Sequence, residues 1–235
     1  MNRKMMLITA FPADALMHAG GSLLKYLENG TSVSLLILSD GLKASSAYSF
    51  DEIEADAAGC SYAIRKEFSK LYSGMGVSSV RFLMKEGYPL PENPETISEV
   101  AELIRREDPD CIITHAWEKD FSCPDYSTVS NIVLRAADAA RSEGEGRLPV
   151  FGMEPFRPEL TGWHPDLMLD ITDYEEKKED LLSSLRSVKP DTAFLSQRAR
   201  ARGVHASGRG GKLSCRYAEA FSRRLPICTE AYLVW

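Results

Sequence analysis

Apolar residues along this chain follow two rhythms: short continuous runs, and longer stretches in which they recur every three or four positions. Residues 5–10 form the first run, the pattern of a strand buried on both faces. Phe11-Pro12-Ala13-Asp14 breaks it, and Leu16, Ala19, Leu23, Leu24 and Leu27 then recur at helical spacing. This predicts strand, turn and helix, with Asp14 at the helix N-cap. Residues 32–38 read as a second strand that ends in Ser39-Asp40-Gly41. A polar loop follows over 42–50, and then a helix over 51–72 with Ile53, Ala57, Ile64, Phe68 and Leu71 inward. A third strand covers 80–84, and residues 86–90 form a turn.

Residues 95–106 have the spacing of an amphipathic helix, with Ile97, Val100, Leu103 and Ile104 inside. The fourth buried strand, 111–114, delivers His115 to the same edge as Asp14. A loop over 117–124 leads into a helix over about 125–141. A fifth strand, 150–153, ends at Glu154-Pro155, and a shorter sixth covers 167–171. Helices are predicted over 174–188 and 191–202, and the alanines at 218 and 220 with Phe221 suggest another over 215–224.

Strands alternate with helices over the first 155 residues, which predicts a parallel sheet covered on both faces. The expected fold is a Rossmann-like three-layer αβα sandwich with a mostly parallel sheet. One domain over 1–235 is expected, the last third (about 156–235) closing over the strand ends. Ligands of open α/β sheets bind beyond the C-terminal ends of the strands, where Asp14, Asp40, His115 and Glu154 fall.

A net charge of −6 argues against a general nucleic-acid binder. No apolar run reaches the roughly 20 residues that span a bilayer, so no membrane partner is expected. The five cysteines are scattered without metal-type spacing, which makes reduced thiols in a cytoplasm the default. The run 198–216 is basic in an acidic protein, with Arg198, Arg200, Arg202, Arg209, Lys212 and Arg216. It reads either as a solvated loop or as a clamp for an anionic ligand, since guanidinium groups pair bidentately with carboxylates.

The opening Ala-Phe-Pro-Ala-Asp-Ala-Leu-Met-His-Ala-Gly-Gly, followed by Leu-Ile-Leu-Ser-Asp-Gly at 36–41, resembles the LmbE/PIG-L superfamily of zinc-dependent deacetylases and their relatives. Ala13 is similar to the branch that contains oxalomesaconate hydratase, a zinc lyase acting on an unsaturated tricarboxylate. So are Arg65-Lys66-Glu67, Gly87-Tyr88-Pro89-Leu90, Thr114-His115, the stretch 120–125, Glu154-Pro155, Trp163-His164-Pro165-Asp166, Asp170-Ile171-Thr172 and Arg202-Gly203. The resemblance places the family's zinc ligands at Phe11, Asp14 and Tyr126, of which only Asp14 is a family ligand type. Phenylalanine offers no lone pair, and imidazole is what such a site normally uses. The deacetylase general base is replaced by Ala13.

The resulting expectation is a pocket protein of hydratase-like descent with no metal cofactor, binding a small anionic or hydroxylated molecule. Any hydration or isomerisation would be metal-independent. Asp14, His18, His115 and Glu154 are the candidate catalytic groups. Asp40, Arg65, Asp120, Asp125 and Arg202 are the candidate ligand-binding groups. Several of these also have plain structural readings: Asp40, Asp120 and Asp125 as caps of turns or helices, Arg65 as a surface pair, and Cys123 as an inert thiol. Two further readings stand beside this one: a working zinc hydratase or deacetylase with ligands displaced to His18, His115 and Cys123, and a non-catalytic subunit of an oligomer.

Overall fold

The computed structural model describes residues 3–42, 57–120, 122–141, 148–208 and 214–224. In chain order the elements are β1 (Lys4–Thr9), α1 (Asp14–Glu28), β2 (Ser32–Ile37), α2 (Ala57–Met75), β3 (Ser79–Phe82), α3 (Pro94–Glu107) and β4 (Cys111–His115). They continue with α4 (Pro124–Ala140), β5 (Val150–Met153), α5 (Pro158–Thr161), β6 (Leu167–Asp170), α6 (Glu175–Ser183), α7 (Thr192–Gly208) and β7 (Ala218–Arg223). The strands form one sheet in the order β3-β2-β1-β4-β5-β7-β6. From β3 to β5 every pairing is parallel, and β7 runs antiparallel to both β5 and β6. The sheet is therefore mostly parallel, as the alternation predicts.

The apolar runs of the central strands are continuous because both faces are covered. Met6 and Ile8 of β1 pack with Leu36, Ile97, Val100, Ile104, Val129 and Val133 under α3 and α4. Met5 and Leu7 point the other way, onto Leu16 and Leu23 of α1 and Ile64 and Phe68 of α2. Side chains alternate along a strand, so one six-residue run supplies two cores. Asn93 caps α3 by accepting from Thr96 N, and Pro94 opens the helix.

Three expectations are corrected. The segment 215–224 is not a helix: 218–223 is strand β7, inserted between β5 and β6. Alanines two positions apart are a strand period, and β5 and β6 hydrogen-bond the two edges of this strand. The helix over 174–188 stops at Ser183, and Leu185 and Val188 pack into the core from irregular chain. The basic run is not a loop at its start, since α7 continues to Gly208 and residues 209–213 lie outside the described residues. Most of the 42–50 loop and the first residues of the 51–72 helix also lie outside them.

Gly203 explains how close α7 comes to the chain entering β7. A Cβ there would stand 2.4 Å from the backbone of Arg216. No helix among the described residues is long and apolar enough to cross a membrane.

Candidate functional site

β1 and β4 are adjacent parallel strands, so the turn after β1 and the end of β4 open at the same sheet edge. Asp14 starts α1 there and is fully buried. Its Oδ2 accepts a hydrogen bond from Phe11 N at 2.7 Å, and its Oδ1 accepts one from the Tyr126 hydroxyl at 3.1 Å. His115 Nε2 lies 3.2 Å from Asp14 Oδ2 and accepts the Ala10 N–H at 3.0 Å. That backbone bond places the ring proton of His115 on Nδ1.

Tyr126 sits in the first turn of α4, where its ring stacks on His115 at 4.1 Å with 9° between planes. Phe11 packs against Tyr126 at 6.2 Å. His18 follows Asp14 by four residues on one helix face and meets His115, Tyr126 and Phe156 edge-on at 6.0, 5.7 and 4.6 Å. An aromatic floor thus surrounds the buried aspartate.

His18 Nδ1 donates to Glu154 O at 2.8 Å, which leaves the lone pair on Nε2. Among the described residues no group bonds that buried atom. Burial first, and then the charge of Arg198, hold His18 well below the usual histidine range. The Glu154 carboxylate is clamped by Arg202, with Nε at 3.0 and 3.1 Å and Nη2 at 2.6 Å. This ties α7 to the end of β5.

Arg198 lies one helical turn before Arg202. Its Nη2 reaches Met17 O at 3.4 Å and its Nη1 reaches Pro155 O at 3.5 Å. Its guanidinium lies 5.6 Å from the Phe156 ring and 5.7 Å from Phe194. Among the described residues no carboxylate pairs with it.

Helix α1 breaks at Ala19 (φ −140°, ψ 21°). The break frees the N–H groups of Gly21 and Ser22, which donate to Glu219 of β7 at 3.0 and 2.8 Å. It also frees the carbonyl of Met17 that Arg198 takes. Lys178, only 2% exposed, completes Glu219 at 2.7 Å.

The remaining predicted residues are placed elsewhere. Asp120 is buried and accepts from Ser122 N and the Ser122 hydroxyl on Oδ1, and from Phe156 N at 2.9 Å on Oδ2. It thereby holds the loop that carries Phe156. Asp125 accepts from Leu90 N at 2.5 Å, and burial pushes its carboxyl up. Asp40 accepts from Leu42 N, a local turn bond. Arg65 is bonded to Ser61 O in its own helix. The last two do not join the cluster. Cys123 has its thiol pushed up to about 12, chiefly by burial, so it is no ready thiolate.

Lys178, Glu219 and Phe156 escaped the sequence reading as site residues, whereas Arg198 entered it as part of the basic run that could clamp an anion. Lys178 and Glu219 are ordinary surface types in sequence, and only pairing with each other makes their burial tolerable.

Comparison with known proteins fits this geometry into a family. The model of the PIG-L family, described as GlcNAc-PI de-N-acetylase, matches residues 6–137. The 4-oxalmesaconate hydratase of Pseudomonas putida is 28% identical over 96% of this chain and 90% of its own length. The crystal structure of GalB, the 4-carboxy-2-hydroxymuconate hydratase of Pseudomonas putida KT2440, superposes with a TM-score of 0.85 at 26% identity, covering 98% of this chain and 99% of that one. The N,N'-diacetylchitobiose deacetylase of Pyrococcus horikoshii shares the fold, with a TM-score of 0.72 at 20% identity over 94% of this chain and 84% of that one. With more than half of its length matched by the family model, and a hydratase structure superposing over nearly all of it, this chain belongs to the PIG-L (LmbE-like) family.

Proposed function

We propose that this chain uses the LmbE-like scaffold to bind a small carboxylate-bearing metabolite in a site that lacks the family's zinc centre. Any hydration or isomerisation performed there is carried by side chains. One observation carries this reading: both oxygens of Asp14 are taken by protein donors, Phe11 N–H and the Tyr126 hydroxyl. The residues at the positions where the resemblance puts zinc ligands do not fit the ion. Phe11 has no lone pair, and Tyr126 presents its proton to Asp14 instead of an oxyanion to a metal. Among the described residues no group of three His, Cys, Asp or Glu is arranged to hold a metal.

A carboxylate ligand is supported by Arg198, a guanidinium with two long carbonyl bonds and no anionic partner among the described residues. Arg202, held on Glu154, adds a second cation at the same edge. The Pseudomonas relatives are named as hydratases of 4-oxalmesaconate and 4-carboxy-2-hydroxymuconate. In this reading His18 is the candidate proton-transfer group, and Asp14 and His115 hold the surrounding floor in place.

Elemental analysis of protein purified without chelator tests the metal half of the reading. Zinc far below one per chain is expected, and one zinc per chain overturns it. Thermal shift with unsaturated di- and tricarboxylates tests the ligand half. A ligand at 100 times its Kd stabilises the folded state by about 2.7 kcal/mol. A melting temperature unmoved by every member of the set would leave no ligand reading.

A further inference from the structure

Beside His18 lies a small cavity with room for about 10 Å³. His18, Glu154, Lys178, Leu195, Arg198 and Glu219 line it. That is about the space of one water molecule and too little for an organic ligand. The wall chemistry selects the guest further. His18 Nε2 is buried, without a partner among the described residues, and can only accept, because Nδ1 has spent the ring proton on Glu154 O. Arg198 can only donate, and its bonds to Met17 O and Pro155 O are long.

A guest between these groups must donate to one and accept from the other. Chloride or another bare anion has no proton for the imidazole. Ammonium has no lone pair for the guanidinium, and Arg198 and Lys178 repel it. Water meets both demands and can turn its second hydrogen to a carboxylate of Glu154 or Glu219. Each carboxylate already has its own cation, Arg202 and Lys178 respectively.

We propose that this cavity is a site for a single ordered water, donating to His18 Nε2 and accepting from the Arg198 guanidinium. The water gives the buried imidazole the partner its lone pair needs, since an unsatisfied buried acceptor is costly. It joins the aromatic floor around Asp14 to the ion pairs on α7 and β7. Occupancy of the cavity does not depend on the ligand reading above, so the two stand or fall separately.

A crystal structure of the unmodified protein at near-atomic resolution tests this, with one crystal grown in bromide. The expected result is a single peak at hydrogen-bond distance, about 2.7–3.2 Å, from both His18 Nε2 and an Arg198 nitrogen, with no anomalous signal in bromide. An anomalous bromide peak makes it an anion site and overturns the proposal, as does a dry cavity. In solution, histidine-labelled protein should show the Nδ1–H tautomer at His18 and cross-relaxation from a long-lived water to its ring. An Nε2–H tautomer would overturn it equally.

Discussion

At the scale of single residues, the decisive exchange is the one between Tyr126 and Asp14. A buried carboxylate oxygen needs a donor, and Asp14 Oδ1 has the Tyr126 hydroxyl. Tyr126→Phe keeps the ring that stacks on His115 and removes only that donor. The expected cost is about 1–3 kcal/mol, the range for leaving a buried polar group unsatisfied, read from urea unfolding at neutral pH. A variant as stable as the parent would mean that Asp14 is satisfied by something else, and the closed-site reading would lose its main support. Residue-level chemistry was partly legible beforehand. Asp14, His18 and His115 converge because a strand end and an i, i+4 helix face are readable from spacing. Asp40 follows from a strand end and Arg65 only from the resemblance, and both instead bond locally. A strand end brings a residue to the right edge, but its own neighbours decide whether the side chain turns inward.

At the scale of elements, the break in α1 is the device that builds the far wall of the site. Helical spacing predicts α1 but not the interruption at Ala19, although Gly20 and Gly21, each about 1 kcal/mol less favourable than Ala in a helix, mark where a break costs least. The cause lies 200 residues away in β7, the element misread as a helix. Its Glu219 competes for the N–H groups of Gly21 and Ser22, and buried Lys178 offsets the charge. The dependence should be steep. Glu219→Gln strands a buried ammonium, and breaking a buried pair from one side costs about 3–5 kcal/mol. Adding Lys178→Met removes the stranded charge and should recover more than half of the loss in denaturant unfolding. If the double variant is no better than the single, the pair does not act as a unit and the break in α1 has another origin.

At the scale of the whole molecule, the parallel half was legible because each strand is an uninterrupted apolar run between helices. The antiparallel return of β7 was not, because short small-residue strands carry little periodic signal. That return brings Glu219 behind α1, and α7 packs on β7 and carries Arg198 and Arg202 to the end of β5. This closure seals His18 from solvent and links folding to pH. Unfolded, His18 titrates near about 6.5; folded, burial and Arg198 hold it well below. Between these values the unfolded chain binds a proton that the folded chain refuses. Stability from this group is therefore complete above pH 6.5 and falls on acidification, by up to about 1.4 kcal/mol per pH unit. Asp125 and Glu175 act in the opposite direction, because burial pushes both carboxyls up and the folded state keeps protons the unfolded chain has released. Comparing the parent with His18→Gln cancels those terms, since both proteins keep them. Between pH 6.5 and pH 5 the parent should lose stability more steeply than the variant, while above pH 7 the two curves should run parallel. Parallel curves over the whole range would mean that His18 takes up its proton in the folded state as readily as in water, which a ring sealed between α1, α7 and β5 cannot do.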